Sequence, residues 1–577
     1  MPPPHRATDA GLPSTGTPHG SRSRLTQWID RPGRDTPMVL AWIVAPVAFY
    51  FHLLAKFWFD APILDDYETI LGSIVRLRAA DTAGAWLGEL FALHNEHRIV
   101  VMRLVALGAD SLLGHTDFRL LMAVGNLTVI GLFALFWAEF RDDASAAVLG
   151  AASFLLLQWS YSEAILMASA ALPNIGVVFF SFAAIFFAGR STGWTLAASI
   201  ACGVLAAGSQ SNGVFALPLA ALACLLGGRR SRAAILFGAA AALWAVFFAT
   251  YVPPSNHPSV LAALTSPGVA VQLFLVIIGG IAPTVPTALL VGAALLVAGA
   301  ALWQRGFWQA HPVVTCWALF ILVSAAAATA ARTGFGVFHA SRYAIYSTCL
   351  VVIGFLGIYW ATRPWRPASV LAACLACGAI SLAITFVNRV EIAERAYRGR
   401  QLVGVASPGE THPTQYLGIQ FPYHPQAIDR LVEAEKAGIY RPRMRLLALP
   451  AVRGAANLPS TSRTSGHIDS VTPNGRRVTV SGWTDASAVL SRTFTLAPAP
   501  VEVAPRFDAI VVREDVARQS GNDELVHAGF RIVIDYPSEQ DARQAAAFLC
   551  VAVSAPGIPD TLVFRPDVSC PPGARQP

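Results

Sequence analysis

The stretch MVLAWIVAPVAFYFHLLAKFWFDAPILDDY, residues 38–67, sets an apolar run from Met38 to Phe59 directly against an acidic turn. At 1.5 Å of rise per residue, a helix over that run crosses the roughly 30 Å hydrocarbon core of a bilayer. No small-residue cleavage site follows it, so it reads as a retained membrane helix and not as a secretion signal. The acidic turn marks where the chain leaves the membrane.

The pattern repeats along the chain. Of 577 residues, 54% are apolar and 13% charged, whereas soluble proteins carry about 25% charged residues. With a mean hydropathy of +0.51, the composition predicts a polytopic α-helical membrane protein. Further runs able to span lie near 118–139, 144–160, 168–189, 194–210, 213–228, 233–252, 286–304, 312–331, 341–361 and 368–388, which with the first makes about 11 spans. Two other runs are read as helices at the interface or re-entering it. One, 99–113, contains Arg103 and Asp110; the other, 268–282, is short and enclosed by Pro267 and Pro283.

Charge tests that choice. With the N-terminus inside and both runs excluded, Arg141, Arg190, the Arg229-Arg230-Arg232 cluster, Arg363 and Arg366 all fall on the cytoplasmic side, as the positive-inside rule requires. Counting 99–113 as a span would put the Arg229 cluster outside. The net charge of +7 sits in these connections and in the N-terminal tail. It forms no stripe able to follow a phosphate backbone, so nucleic acid is excluded as a partner.

Four regions follow. Residues 1–36, rich in Pro, Gly, Ser and Arg, are expected to be a disordered cytoplasmic tail. Residues 37–390 form the transmembrane domain, with a first outer loop at 60–117. Residues 391–460 are an α/β linker region with an amphipathic helix at Ala427–Ala437, expected to pack against the membrane face. Residues 461–577 read as strands, HIDSV, RRVTVSGW after a Pro-Asn-Gly turn, FDAIVV, GFRIVIDY and FLCVAVS, expected to form an extracytoplasmic β-sandwich. Its two cysteines, Cys550 and Cys570, would face an oxidising compartment and are expected to form a disulfide. Cys374 and Cys377, inside a membrane run, read as apolar packing.

The same parity gathers the polar chemistry on the non-cytoplasmic side. Asp65 and Asp66 are adjacent carboxylates at the rim of a low-dielectric region, where mutual repulsion raises a proton affinity and makes a candidate base; either could equally cap a helix starting at Tyr67. The returning segment HNEHR carries His94, Glu96, His97 and Arg98. Glu96 with a histidine has the chemistry of a divalent-metal or phosphate site, and Arg98 and Arg103 of an anion grip. Both arginines could instead meet lipid phosphates. Gln158, Trp159, Asn174, Gln210 and Asn212 are candidates to line a cavity or to bond helix to helix, the latter favoured for Asn126 and Asn174.

A DDY after the first span, the return through HNEHR, a second acidic turn in SYSE at Glu163 and a late loop with SRY together resemble the GT-C superfamily of integral-membrane glycosyltransferases. The resemblance implies a GT-C-like fold over about residues 38–390 and transfer of a sugar from a polyprenyl-phosphate-linked donor to a glycan, lipid or protein acceptor, at the outer face of a bacterial inner membrane. Asp65 would be the general base and Asp66 would hold its geometry or share the proton. Arg98, Arg332, His339 and Arg342 would meet the leaving phosphate. His94, Glu96 and Glu163 would offer a second acid or ligands to a divalent cation (Mg2+, Mn2+ or Ca2+), although no plain Asp-x-Asp stands there. The motifs GWTDAS, VREDVARQ and HAGFRI are similar to accessory β-domains of bacterial glycosyltransferases, with Trp483 and Phe530 as sugar-stacking candidates. The rival readings are a transporter or flippase of lipid-linked glycans and a non-catalytic envelope assembly partner.

Overall fold

The computed structural model describes residues 36–252, 258–363, 365–387, 389–390, 393, 425–441, 451–455, 458, 464–484, 493–497, 499, 503, 505–511, 513–520, 528–555, 558–565 and 568. Its first part is helical. Among the described residues, seven helices are long and apolar enough to cross a membrane: Phe118–Phe140, Ala168–Ala188, Arg230–Ala249, Val285–Gln304, Pro312–Phe335, Ser341–Ala361 and Ala368–Phe386. The other apolar runs form shorter helices, Trp42–Phe57, Ala146–Leu156, Gly193–Ser209, Ser211–Leu226 and Pro267–Ile278. The chain is thus a polytopic helical membrane protein.

Aromatic side chains fill the bundle core. Phe182 stacks on Trp317 at 4.8 Å between ring centroids, and Phe136 meets Trp317 edge-on at 5.3 Å. The Trp317 indole N–H donates to the Phe182 carbonyl at 2.9 Å, so the one polar atom of this buried ring is satisfied. Asn126 ties three elements together: its amide donates to Met122 O and Ile165 O and accepts from the Tyr50 hydroxyl. Gln158 and Trp159 are fully buried; Gln158 bonds Ser160 and Thr348, and Trp159 packs on Tyr50 and Phe57.

Contacts sort the connections into two groups. In one, Arg190 pairs with Glu139 at 2.9 Å, Arg363 with Asp143 at 3.2 Å, and Arg229 donates to Ala188 O at 2.9 Å. In the other, the 60–117 loop meets Ser211, Arg332 and the helix Pro425–Lys436.

Residues 60–117 form a small layer of short helices and one hairpin. Val100–Leu113 is an amphipathic helix whose charges turn inward. Arg103 donates to Ser73 Oγ at 3.1 Å, Leu90 O at 3.1 Å and Ala92 O at 2.6 Å, and Asp110 holds Arg78. Leu431, Ala434, Ile439 and Tyr440 join Tyr67, Ile70, Met102 and Phe118 in one buried cluster. The helix after the last span therefore docks on the first loop.

The described strands are β1 Leu93–His94 and β2 His97–Arg98 in the loop hairpin, then, in the C-terminal region, β3 Ala451–Gly454, β4 Thr464–Asn474, β5 Arg477–Trp483, β6 Thr493–Ala497, β7 Arg506–Val511, β8 Gly529–Asp535, β9 Cys550–Ala555 and β10 Ile558–Phe564. The expected sandwich of two sheets is instead one eight-stranded sheet in the order β3-β6-β9-β10-β4-β5-β8-β7. Its outer strands β3 and β7 approach each other, so the sheet curls around a core closed by the helix Glu539–Phe548. Phe530 is fully buried in that core against Phe494, which removes it as a sugar-stacking face. Cys550 is disulfide-bonded; Cys570 lies outside the described residues, as do residues 1–35 of the expected tail.

Candidate active site

The Asp65-Asp66 pair resolves into two different groups. Asp66 is fully buried; its carboxylate accepts from Ile63 N at 3.1 Å and from Ser169 N at 2.7 Å. One acid thus closes the turn Ile63–Asp66 and ties it to the first turn of the Ala168–Ala188 helix. Asp65 is half-buried at the apex, and its carbonyl accepts from Thr69 N and Oγ1. Leu64, just before it, has φ +47°, a left-handed conformation that a branched side chain adopts only under strain. The fold holds Asp65 in a posture the local sequence resists.

Opposite stands the hairpin of β1 and β2, in which His94 faces His97 across a turn through Asn95. Asn95, at φ +52°, is a residue type that tolerates this conformation. Glu96 forms an ion pair with Arg332 and approaches His97 Nε2 at 3.4 Å. The Ser211 hydroxyl donates to Glu96 O and lies 3.1 Å from His97 Nδ1. Burial pushes His97 down to about 4, with Glu96 opposing and Arg332, His94 and Arg342 reinforcing, so the imidazole is neutral at physiological pH. Burial lowers His94 as well, against the pull of Asp65, Glu68 and Glu96.

Glu163 completes the third side. It pairs with Arg342 at 2.7 Å, and its N–H donates to Ser341 Oγ at 3.2 Å. Glu163 and Asp65 are the carboxylates whose charges act on Arg342. Asp65, His94, Glu96, Glu163, Arg332 and Arg342, drawn from three separate loops, therefore share one electrostatic neighbourhood.

Two other predicted ligands are spent elsewhere. Arg98 donates to Phe91 O, to Phe247 O at 3.1 Å and to Thr250 Oγ1 at 2.7 Å; it pins the hairpin to the end of Arg230–Ala249, because those buried carbonyls need donors. His339 Nε2 lies 3.1 Å from Gly280 O and anchors its own loop. A divalent cation does not fit the predicted ligands: Glu96 and Glu163 each face an arginine already, and the charge set holds cations in place of a ligand cage. Sequence reading missed the cluster Asp60, His115 and Asp117, whose ligand atoms lie within 4.8 Å of one another. Asp60 accepts from Phe118 N at 2.8 Å and Asp117 from Arg119 N at 2.9 Å, so both acids serve the start of Phe118–Phe140.

Beside the charged group lies a cavity of about 200 Å3, lined among others by Glu96, His97, Gln210, Asn212, Arg332 and Tyr343. The polar pair Gln210 and Asn212, legible as cavity candidates, does line it. Gly213 makes the wall possible: a Cβ there would come within 2.0 Å of Ala206 O, so only glycine lets this turn lie on the Gly193–Ser209 helix.

No protein-family model matches the chain, and no curated protein matches its sequence. Among solved structures, the chain is similar to ArnT from Cupriavidus metallidurans in the apo state, with 14% identity over 73% of this chain and 83% of that one and a TM-score of 0.37. A likeness this loose assigns no family, and the chemistry rests on the residues above.

Proposed function

We propose that the protein is a membrane glycosyltransferase that moves a sugar from a polyprenyl-phosphate-linked donor to an acceptor hydroxyl on the non-cytoplasmic face, with inversion. The observation that carries this reading is Asp65, held at the apex of a strained turn by the buried Asp66, its charge felt by both His94 and Arg342. In the step, Asp65 takes the acceptor hydroxyl's proton as that oxygen attacks the anomeric carbon. The bond from that carbon to the phosphate oxygen breaks, and its electron pair leaves with the phosphate. Arg342, whose side chain is 34% exposed, presents its fork to the phosphate; Glu163 holds that fork in line. Arg332 is held by Glu96 at the wall beside them. No metal enters this mechanism.

The reading is tested with purified protein in proteoliposomes carrying a polyprenyl-phosphate donor radiolabelled in its sugar. The predicted result is label in an acceptor, or in water as free sugar, with stoichiometric release of polyprenyl phosphate. Label that changes leaflet while still attached to its lipid would instead mark a flippase.

A further inference from the structure

Resting on that reading, we propose that the cavity beside the charged group holds a single neutral sugar ring, gripped through its hydroxyl hydrogens by Asn212 and Gln210. The Asn212 amide nitrogen donates to Ser324 Oγ at 3.0 Å and to the Tyr346 hydroxyl at 2.9 Å. Both of its protons are spent in this orientation. Its Oδ1 is buried with no partner. Gln210 repeats the arrangement: Nε2 donates to Asn174 Oδ1 at 3.3 Å, while the buried Oε1 is left without a donor. An amide oxygen can only accept, and a buried acceptor without a donor is costly. Two such oxygens, on side chains that line one cavity, call for a ligand rich in O–H groups.

The walls narrow the class. Tyr343 stacks on Tyr346 at 6.3 Å and Phe247 on Tyr251 at 6.1 Å, each pair inclined by 24°, and all four rings line the space. Such faces suit the C–H surface of a pyranose. The Glu96–Arg332 pair balances its own charge at the wall, so a carboxylate or an ammonium on the ligand meets no unmatched counter-ion. At about 200 Å3 the space is smaller than the ~300–1,000 Å3 of pockets for drug-sized ligands. It has room for about one ring. That ring is the donor's sugar or the acceptor's terminal residue.

The test uses the full-length protein in nanodiscs with free glucose, galactose and mannose, and with glucuronate and glucosamine as charged comparisons, read by saturation-transfer NMR. At least one neutral hexose should bind, and both charged sugars should bind at least tenfold more weakly. Asn212→Ala and Gln210→Ala should each weaken the hexose at least tenfold, whereas Asp65→Asn should bind it as the native chain does. Should Asn212→Ala fail to fold, because the amide also braces Ser324 and Tyr346, Gln210→Ala decides alone. Unchanged hexose binding in the folded variants, equal binding of glucuronate, or no hexose binding at all overturns the proposal. Displacement of the hexose by intact lipid-linked donor supports it and assigns the ring to the donor; simultaneous binding supports it and assigns the ring to the acceptor. Sugar transfer without hexose binding would sink this cavity and leave the transferase reading intact, and hexose binding without transfer would do the reverse.

Discussion

At the scale of single residues, the two adjacent acids differ in what the rest of the chain gives them. Asp66 accepts a backbone N–H from Ser169, 103 positions away, and nothing in DDY announces that partner. The gathering of acids, histidines and arginines was legible in the sequence; the different partners of Asp65 and Asp66 were not. Asp66→Ala removes the acceptor of two buried N–H groups and should lower stability by roughly 1–3 kcal/mol, read as a fall in thermal midpoint in detergent, with Asp65→Ala close to native by the same measure. An Asp66 variant as stable as the native chain would contradict the strut assigned here. Arg98 and Arg103 show the complementary limit. Their place in an outer loop suggested anion contacts, but the irregular backbone around Phe91, Leu90 and Ala92 needs donors, and arginine is long enough to reach inward and supply them.

Among the elements, the amphipathic pattern near 427–437 announced a helix, observed as Pro425–Lys436, without showing where it docks. It docks on Tyr67–Gly72, where Arg430 meets Glu68 at 2.8 Å and Arg76 meets the same carboxylate at 2.8 Å. Against the cost of burial, these two arginines hold Glu68 below its ordinary value of 4.5. Because the folded state depresses the value, the stabilising contribution is complete above pH 4.5 and fades as the pH falls below it. Amide exchange in residues 425–441 should therefore accelerate between pH 5 and pH 3 relative to the membrane helices, and Arg430→Ala should already exchange fast at pH 7. No difference between the two chains at pH 7 would show that the ion pair does not hold the dock. Alternation in RRVTVSGW likewise marked β5, and Pro-Asn-Gly marked its turn, where Gly475 takes φ +58°. The parallel pairing of β4 with β10 joins residues far apart in the chain, which no local pattern encodes.

For the whole molecule, hydropathy foretold the helical membrane fold, because that fold follows from the bilayer's physics. The curl of the C-terminal sheet was out of reach, since long-range pairing decides it. We place the 60–117 loop outside. An impermeant maleimide should then label Asp81→Cys on intact spheroplasts and reach Asp142→Cys only after permeabilisation; the opposite pattern would invert the topology. The central claim, that Asp65 removes the proton of the attacking hydroxyl, is tested most directly by the transfer rate of Asp65→Asn with donor affinity measured in parallel. A fall of about 10²–10⁴-fold in kcat with donor binding unchanged is the predicted result, and an unchanged kcat would contradict it.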